Sequence, residues 1–311
     1  MDRTRAFLRS MGLPDSDPGA LPASAKRFPD GAQYRVEIPS VEGPEVLSAV
    51  LAEAERRGVV VHRISQGSGT MLLTDSDVAS MAATASAGGV EVSLFTRPLA
   101  GWDTGAAALA TGATALATQA RGTEQVVYCL EDIRRAAELG IRSVLVTDLG
   151  VLRVAARMRT EGELPSGLQF KVSVQMGLSN PAAIQLAEQL GANTYNVPTD
   201  LSLAQLAAIR QAIDIPLDIY LESPDDQGGF VRHYEIAEIV RVAAPVYLKF
   251  GLRNAPNIYP SGSHLTPLAT ALGVERVRRA EIGLNLLARY APDAVGSVLP
   301  AAGLAVPEVS A

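Results

Sequence analysis

From residue 34 onward one unit recurs along the chain: a short run of apolar, β-branched residues, a turn, and then a longer stretch whose apolar positions repeat with helical spacing. The first strand is predicted over 34–41 and its helix over 44–57, with Pro44 suited to a helix start and Gly58 to a helix stop. A second strand follows over 59–65, with a helix over 75–86 that Thr74 can cap. The third strand, 90–97, leads through an Ala-rich segment to a helix over 124–139 closed by Gly140. A fourth strand is read at 142–148 and its helix at 149–160. The fifth is read at 170–176, followed by a helix over 181–190 with Asn180 as cap and Gly191 as stop. The sixth strand, 194–198, precedes a helix capped by Ser202 and running to Ala212. The seventh, 217–222, precedes a helix near 233–242. The eighth, 246–252, precedes a last helix, 265–290, interrupted near Gly273.

Eight strand–helix units are the number that closes a parallel (β/α)8 TIM barrel. An open doubly wound sheet is the alternative. The dinucleotide fingerprint GxGxxG does not follow the first strand, and QGSGT at 66–70 reads equally as an anion loop or an ordinary turn. The expected organisation is one α/β domain: a short N-terminal extension over 1–33, the barrel over 34–291, and a Pro-, Ala- and Val-rich tail over 292–311 that is expected to be poorly ordered.

Composition narrows the function classes. Hydrophobic residues make up 48% of 311, enough for a large core, and the net charge of -6 lacks the basic footprint of a nucleic-acid binder. The stretch over 105–117 is too short and weak to cross a membrane, and MDRTRAFLRSMG reads as a short amphipathic helix rather than a secretory signal. With Cys129 as its one cysteine, the chain suits a reducing compartment, and a cytoplasmic location is expected. No nucleic acid or membrane is expected as a partner, and the oligomeric state is left open.

Alternate residues of a barrel strand point into the lumen, where an unpaired charge is costly. The strands nevertheless carry Arg35, Glu37, His62, Arg63, Glu91, Arg97, Asp148, Lys171, Gln175, Asn196, Asp218, Tyr220, Glu222 and Lys249. Late strand positions face the site and early ones support stability. The site candidates are therefore Arg63, Gln66, Arg97, Asp148, Gln175, Asn196, Glu222 and Lys249, while Glu91, Lys171 and Asp218 suit structural ion pairs near the floor. Asp148 and Glu222 are expected as acid and base, or as oxygen ligands of a divalent metal ion. Lys249 is expected either to form a Schiff base, with Arg253 contributing to its field, or to pair with Glu222 or Glu37. The PSGSH loop with His264 offers an anion site or a capped helix start.

Three stretches resemble the peptidase U32 family of collagenase-like proteins: VLVTDLGVLRVAARM at 144–158, KVSVQMGLSNPAAIQLAEQLGA at 171–192 and TDLSLAQLAAI at 199–209. The shared features are Asp148-Leu149-Gly150, then Ser173, Gln175 and Asn180, then Leu201-Ser202-Leu203. The resemblance implies a barrel and marks Asp148, Gln175 and Asn180 as pocket residues. Where relatives carry a His-Gly and a cysteine cluster, this chain has ESPDDQGGF at 222–230, so no iron–sulfur cluster is expected.

The leading expectation is a U32-like barrel enzyme hydrolysing a small polar or peptide-like substrate by acid–base or metal-assisted chemistry. Arg63 and Arg97 would orient an anionic group, with Gln66, Gln175, Asn180, Asn196 and Arg253 completing the binding set. The alternatives are a lyase or aldolase using Lys249, and a non-catalytic binding or assembly protein.

Overall fold

The computed structural model describes residues 1–10, 19–96 and 118–309. Eight strands, β1 (Tyr34–Pro39), β2 (Arg63–Ser65), β3 (Glu91–Phe95), β4 (Ser143–Val146), β5 (Gln169–Val172), β6 (Thr194–Asn196), β7 (Leu217–Glu222) and β8 (Val246–Phe250), pair in parallel and in sequence order into a closed barrel. The closing pair joins β8 to β1, with Lys249 beside Glu37. An open sheet is thereby excluded.

A helix follows each strand. After the short α1 (Asp2–Ser10) these are α2 (Pro44–Arg57), α3 (Asp75–Gly88), α4 (Gly122–Glu138), α5 (Leu149–Thr160), α6 (Pro181–Gln189), α7 (Leu203–Ala212), α8 (Ile236–Ala243) and α9 (Thr266–Tyr290). Their starts follow from local chemistry. Thr74 and Ser202 form capping boxes with Asp77 and Gln205, and the side chains of Asp148 and Asn180 accept the amides of Val151 and Ala183. The core lies between strands and helices, where outward residues such as Val36, Ile64, Val92, Phe170 and Leu248 are fully covered.

Three elements depart from the sequence reading. Strand β5 ends at Val172, because the Ser173 hydroxyl accepts the Gln175 amide and starts a 3₁₀ turn (Val174–Met176). Helix α9 is unbroken at Gly273: that glycine lets α9 approach α2 closely, and a Cβ there would stand 2.9 Å from Val50 Cγ2. Residues 292–309, expected to be poorly ordered, pack across the N-terminal end of the barrel. There Gly296 bridges to Tyr34, Arg35 donates to Ser297 Oγ (2.9 Å) and Ala302 O (2.6 Å), and His62 Nε2 donates to Ser297 O (2.9 Å). The extension helps close the same floor: Phe28 lies under the Arg35 guanidinium (4.1 Å) and edge-on to Tyr247.

Candidate active site

The lumen above this floor is charged. Glu37, Arg63, Glu91, Lys171, Asp218 and Lys249 point inward from six strands and are almost wholly buried. Arg63 Nε bonds Glu91 Oε1 at 2.7 Å, and its Nη1 reaches Asp218 Oδ1 at 3.1 Å and Glu37 Oε2 at 3.3 Å. Lys171 pairs with Glu37 and, at 2.8 Å, with Asp218 Oδ2. Lys249 Nζ lies 3.2 Å from Glu37 Oε1. Three cations thus meet three carboxylates, a formally neutral set that meets the condition for burying charge. Burial by itself would raise the Glu37 carboxyl, but Lys171, Lys249 and Arg63 hold it far below its ordinary value. Burial lowers the Lys171 ammonium to about 8, against the pull of Asp218 and Glu37.

Lys249 forms the upper end of this network. Its ammonium sits over the Tyr220 ring at 4.4 Å and enters a small cavity of about 60 Å³ at the C-terminal ends of the strands. An ammonium has three N–H donors, so contact with Glu37 leaves others for the cavity. Gln66, Gln175 and Asn196 also line it. Asn196 is 1% exposed, yet neither its Nδ2 nor its Oδ1 has a hydrogen-bond partner, and Gln175 Oε1 is likewise buried and unpartnered. Gln66 instead folds back on Gly69, accepting its amide at 3.0 Å and donating to its carbonyl at 3.3 Å.

The remaining sequence candidates lie elsewhere. Arg63 is below the cavity, engaged with its three carboxylates. Asp148 caps α5, and its two oxygens accept the amides of Val151 (2.9 Å) and Ala120 (3.2 Å). Asn180 is exposed at the start of α6. A bulge between Tyr220 and Glu222 turns Glu222 out of the lumen towards α9. There it accepts the Arg253 amide (2.9 Å) and lies 3.4 Å from His233 Nε2 and 3.6 Å from Arg279 Nε. Burial would raise its carboxyl, but these contacts bring it below its ordinary value. The Arg253 side chain is exposed, 3.7 Å from Asp225. Arg97 lies outside the described residues. Among the described residues no three His, Cys, Asp or Glu side chains gather to hold a metal ion.

Loops supply cavity residues that strand alternation does not reveal: Ser40, Tyr259, Asp226 and Gln227. Tyr259 donates to Ser40 Oγ above Gly67, where a Cβ would come within 2.5 Å of the ring, so glycine is required for this closure. The QGSG turn does hold an anion, but an internal one. Glu42 accepts the amides of Gly67 (2.7 Å) and Ser68 (3.0 Å), and burial raises its carboxyl above its ordinary value.

The fold and the cavity define a (β/α)8 barrel protein with its candidate site at the strand C-termini. The model of Peptidase family U32 matches residues 111–222 of the chain. No curated protein sequence matches the chain. Among solved structures it is similar to the U32 peptidase Mk0906 (15% identity, 66% of this chain and 73% of that one, TM-score 0.38). It is also similar to a putative lyase/mutase from Burkholderia cenocepacia J2315 (15% identity, 93% and 89%, TM-score 0.44). A third is oxaloacetate acetylhydrolase in complex with oxalate (11% identity, 84% and 83%, TM-score 0.47). Among the described residues, no helix is long and apolar enough to cross a membrane.

Proposed function

We propose that this barrel is an enzyme acting on a small polar molecule with a carbonyl or carboxylate group, bound at the mouth by Lys249, Asn196 and Gln175. The carrying observation is the Asn196 amide: it is 1% exposed, lacks a hydrogen-bond partner at either polar atom and lies in the same cavity as Lys249. Leaving a buried polar group unsatisfied costs about 1–3 kcal/mol, a cost that a ligand offering a matching donor and acceptor would remove. In this reading the Lys249 ammonium binds and polarises the substrate oxygen, while Asn196 and Gln175 fix its orientation. The acid–base roles expected of Asp148 and Glu222 have less support, because Asp148 is engaged as a helix cap and Glu222 faces α9.

The test is a thermal-shift screen of small carboxylates and 2-oxo acids on wild type, Lys249→Met and Asn196→Ala. Ligands that stabilise the wild type should lose most of that effect in both variants, about tenfold or more in affinity. Equal responses in all three proteins would remove the mouth from consideration.

A second reading, a lyase using a Lys249 Schiff base, is favoured by the presence of that amine in the cavity. Borohydride treatment with a 2-oxo acid would then fix the substrate carbons to Lys249, which peptide mass spectrometry would locate. An unmodified Lys249 counts against it.

A further inference from the structure

The cavity at Lys249 adjoins a larger hollow of about 330 Å³, and Val174, Gln175, Asp226 and Gln227 line both. The two spaces differ in electrostatic character. The inner one ends on the Lys249 ammonium. The outer one has Asp200 and Asp226 on its walls, with Phe230 beside them.

The junction is rich in unused acceptors. Gln175 Oε1 and Gln227 Oε1 are both buried and neither accepts a hydrogen bond. Asp226 stands with them. Its neighbour Asp225 is compensated by Arg253 (3.7 Å) and by the Asn254 amide (2.5 Å), whereas Asp226 makes no ion pair among the described residues. Partial desolvation of its carboxyl and the adjacent Asp225 raise Asp226 above its ordinary value despite a backbone hydrogen bond, and no cation offsets them. Two amide oxygens that accept no hydrogen bond and a carboxylate without a cation form a recognition surface for a group that donates several hydrogen bonds and carries positive charge. The nearly buried Asn196 amide, open at both atoms, continues this unsatisfied surface inward to Lys249.

We propose that the ligand of this site is a small molecule carrying both an anionic group and a protonated amine. Its anionic group is held by Lys249, and its amine sits at the junction among Gln175 Oε1, Gln227 Oε1 and the Asp226 carboxylate. The inference rests on the reading of the mouth as a substrate site and adds the substrate class. A ligand of this kind places opposite charges against the cationic inner end and the acidic outer end, and it adds no net charge to a neutral lumen.

Isothermal titration of the full chain with glycine, β-alanine and 4-aminobutanoate, each set against acetate, propanoate and butanoate, tests it. At least one amino compound should bind about tenfold more tightly than its amine-free counterpart. Asp226→Asn should reduce that ratio to about threefold or less without weakening the plain carboxylates, since Asp226 is exposed and its loss leaves the fold intact. Lys249→Met should weaken both series. If every pair binds equally in the wild type, if Asp226→Asn leaves the preference unchanged, or if none of these compounds binds, the inference is overturned. If the preference for amines holds but Lys249→Met alters neither series, it is the underlying reading of the mouth that falls.

Discussion

His62 shows how a single strand-edge residue can serve the floor rather than the site. Its Nδ1 accepts the Val36 amide at 3.1 Å and its Nε2 donates to Ser297 O at 2.9 Å, an arrangement that requires the neutral ring. Burial, with Arg35 and Arg63 nearby, lowers its pKa from 6.5 to about 4. The unfolded chain therefore takes up a proton before the folded one as pH falls. Stability from His62 is complete above about 6.5 and is lost on acidification towards about 4, on the order of 3 kcal/mol in all. Urea midpoints of wild type and His62→Gln between these pH values should converge as the pH is lowered. Parallel curves would contradict the assignment. At this scale period-two alternation made the lumen residues legible: Glu37, Lys171, Asp218 and Lys249 all stand where strand phase puts them. Ser40, Tyr259, Asp226 and Gln227 were not legible, because loop geometry brings them to the mouth and no sequence period encodes it.

At the scale of elements, α9 depends on two glycines. At Gly273 the helix meets Val50 and Val46 of α2, and at Gly283 a Cβ would fall 2.5 Å from Phe250 Cε1 on β8. Phe250 is fully buried and has no room to withdraw. Gly283→Ala is therefore expected to destabilise the protein by about 1–3 kcal/mol despite alanine's better helix propensity, read as a lower urea midpoint. An unchanged or raised midpoint would show that the contact is soft. The sequence gives a glycine within a helical pattern two meanings, break or close approach, and only the position of the neighbouring helix separates them. The truncation of β5 has the opposite origin, a local hydrogen bond from the Gln175 amide to Ser173 that hydrophobic patterning does not register.

Over the whole molecule, the count of eight strand–helix units was enough to foresee the closed ring, because each unit carries its own periodicity and caps. The role of residues 292–309 was hidden, since a Pro- and Ala-rich segment without periodicity reads as a tail. Its contacts run mainly through backbone groups to Tyr34, Arg35, His62, Gly140 and Glu91. Removal of residues 295–309 should leave Arg35 and His62 short of partners and cost several kcal/mol, at about 1–3 kcal/mol per unsatisfied buried group. Circular dichroism melts of the shortened chain should show a clearly lower Tm. A melt matching the full-length protein would mean that the floor closes without this segment.

The cancellation of charge beneath the mouth also bears on how such a barrel can change over time. Neutralising one of Glu37, Arg63, Glu91, Lys171, Asp218 or Lys249 strands an opposite ion in a dry interior, at about 3–5 kcal/mol. Single steps away from the arrangement are thus closed off. Descendants of this chain should inherit the six as a block or exchange them in complementary pairs, and aligned columns at these positions should covary by sign.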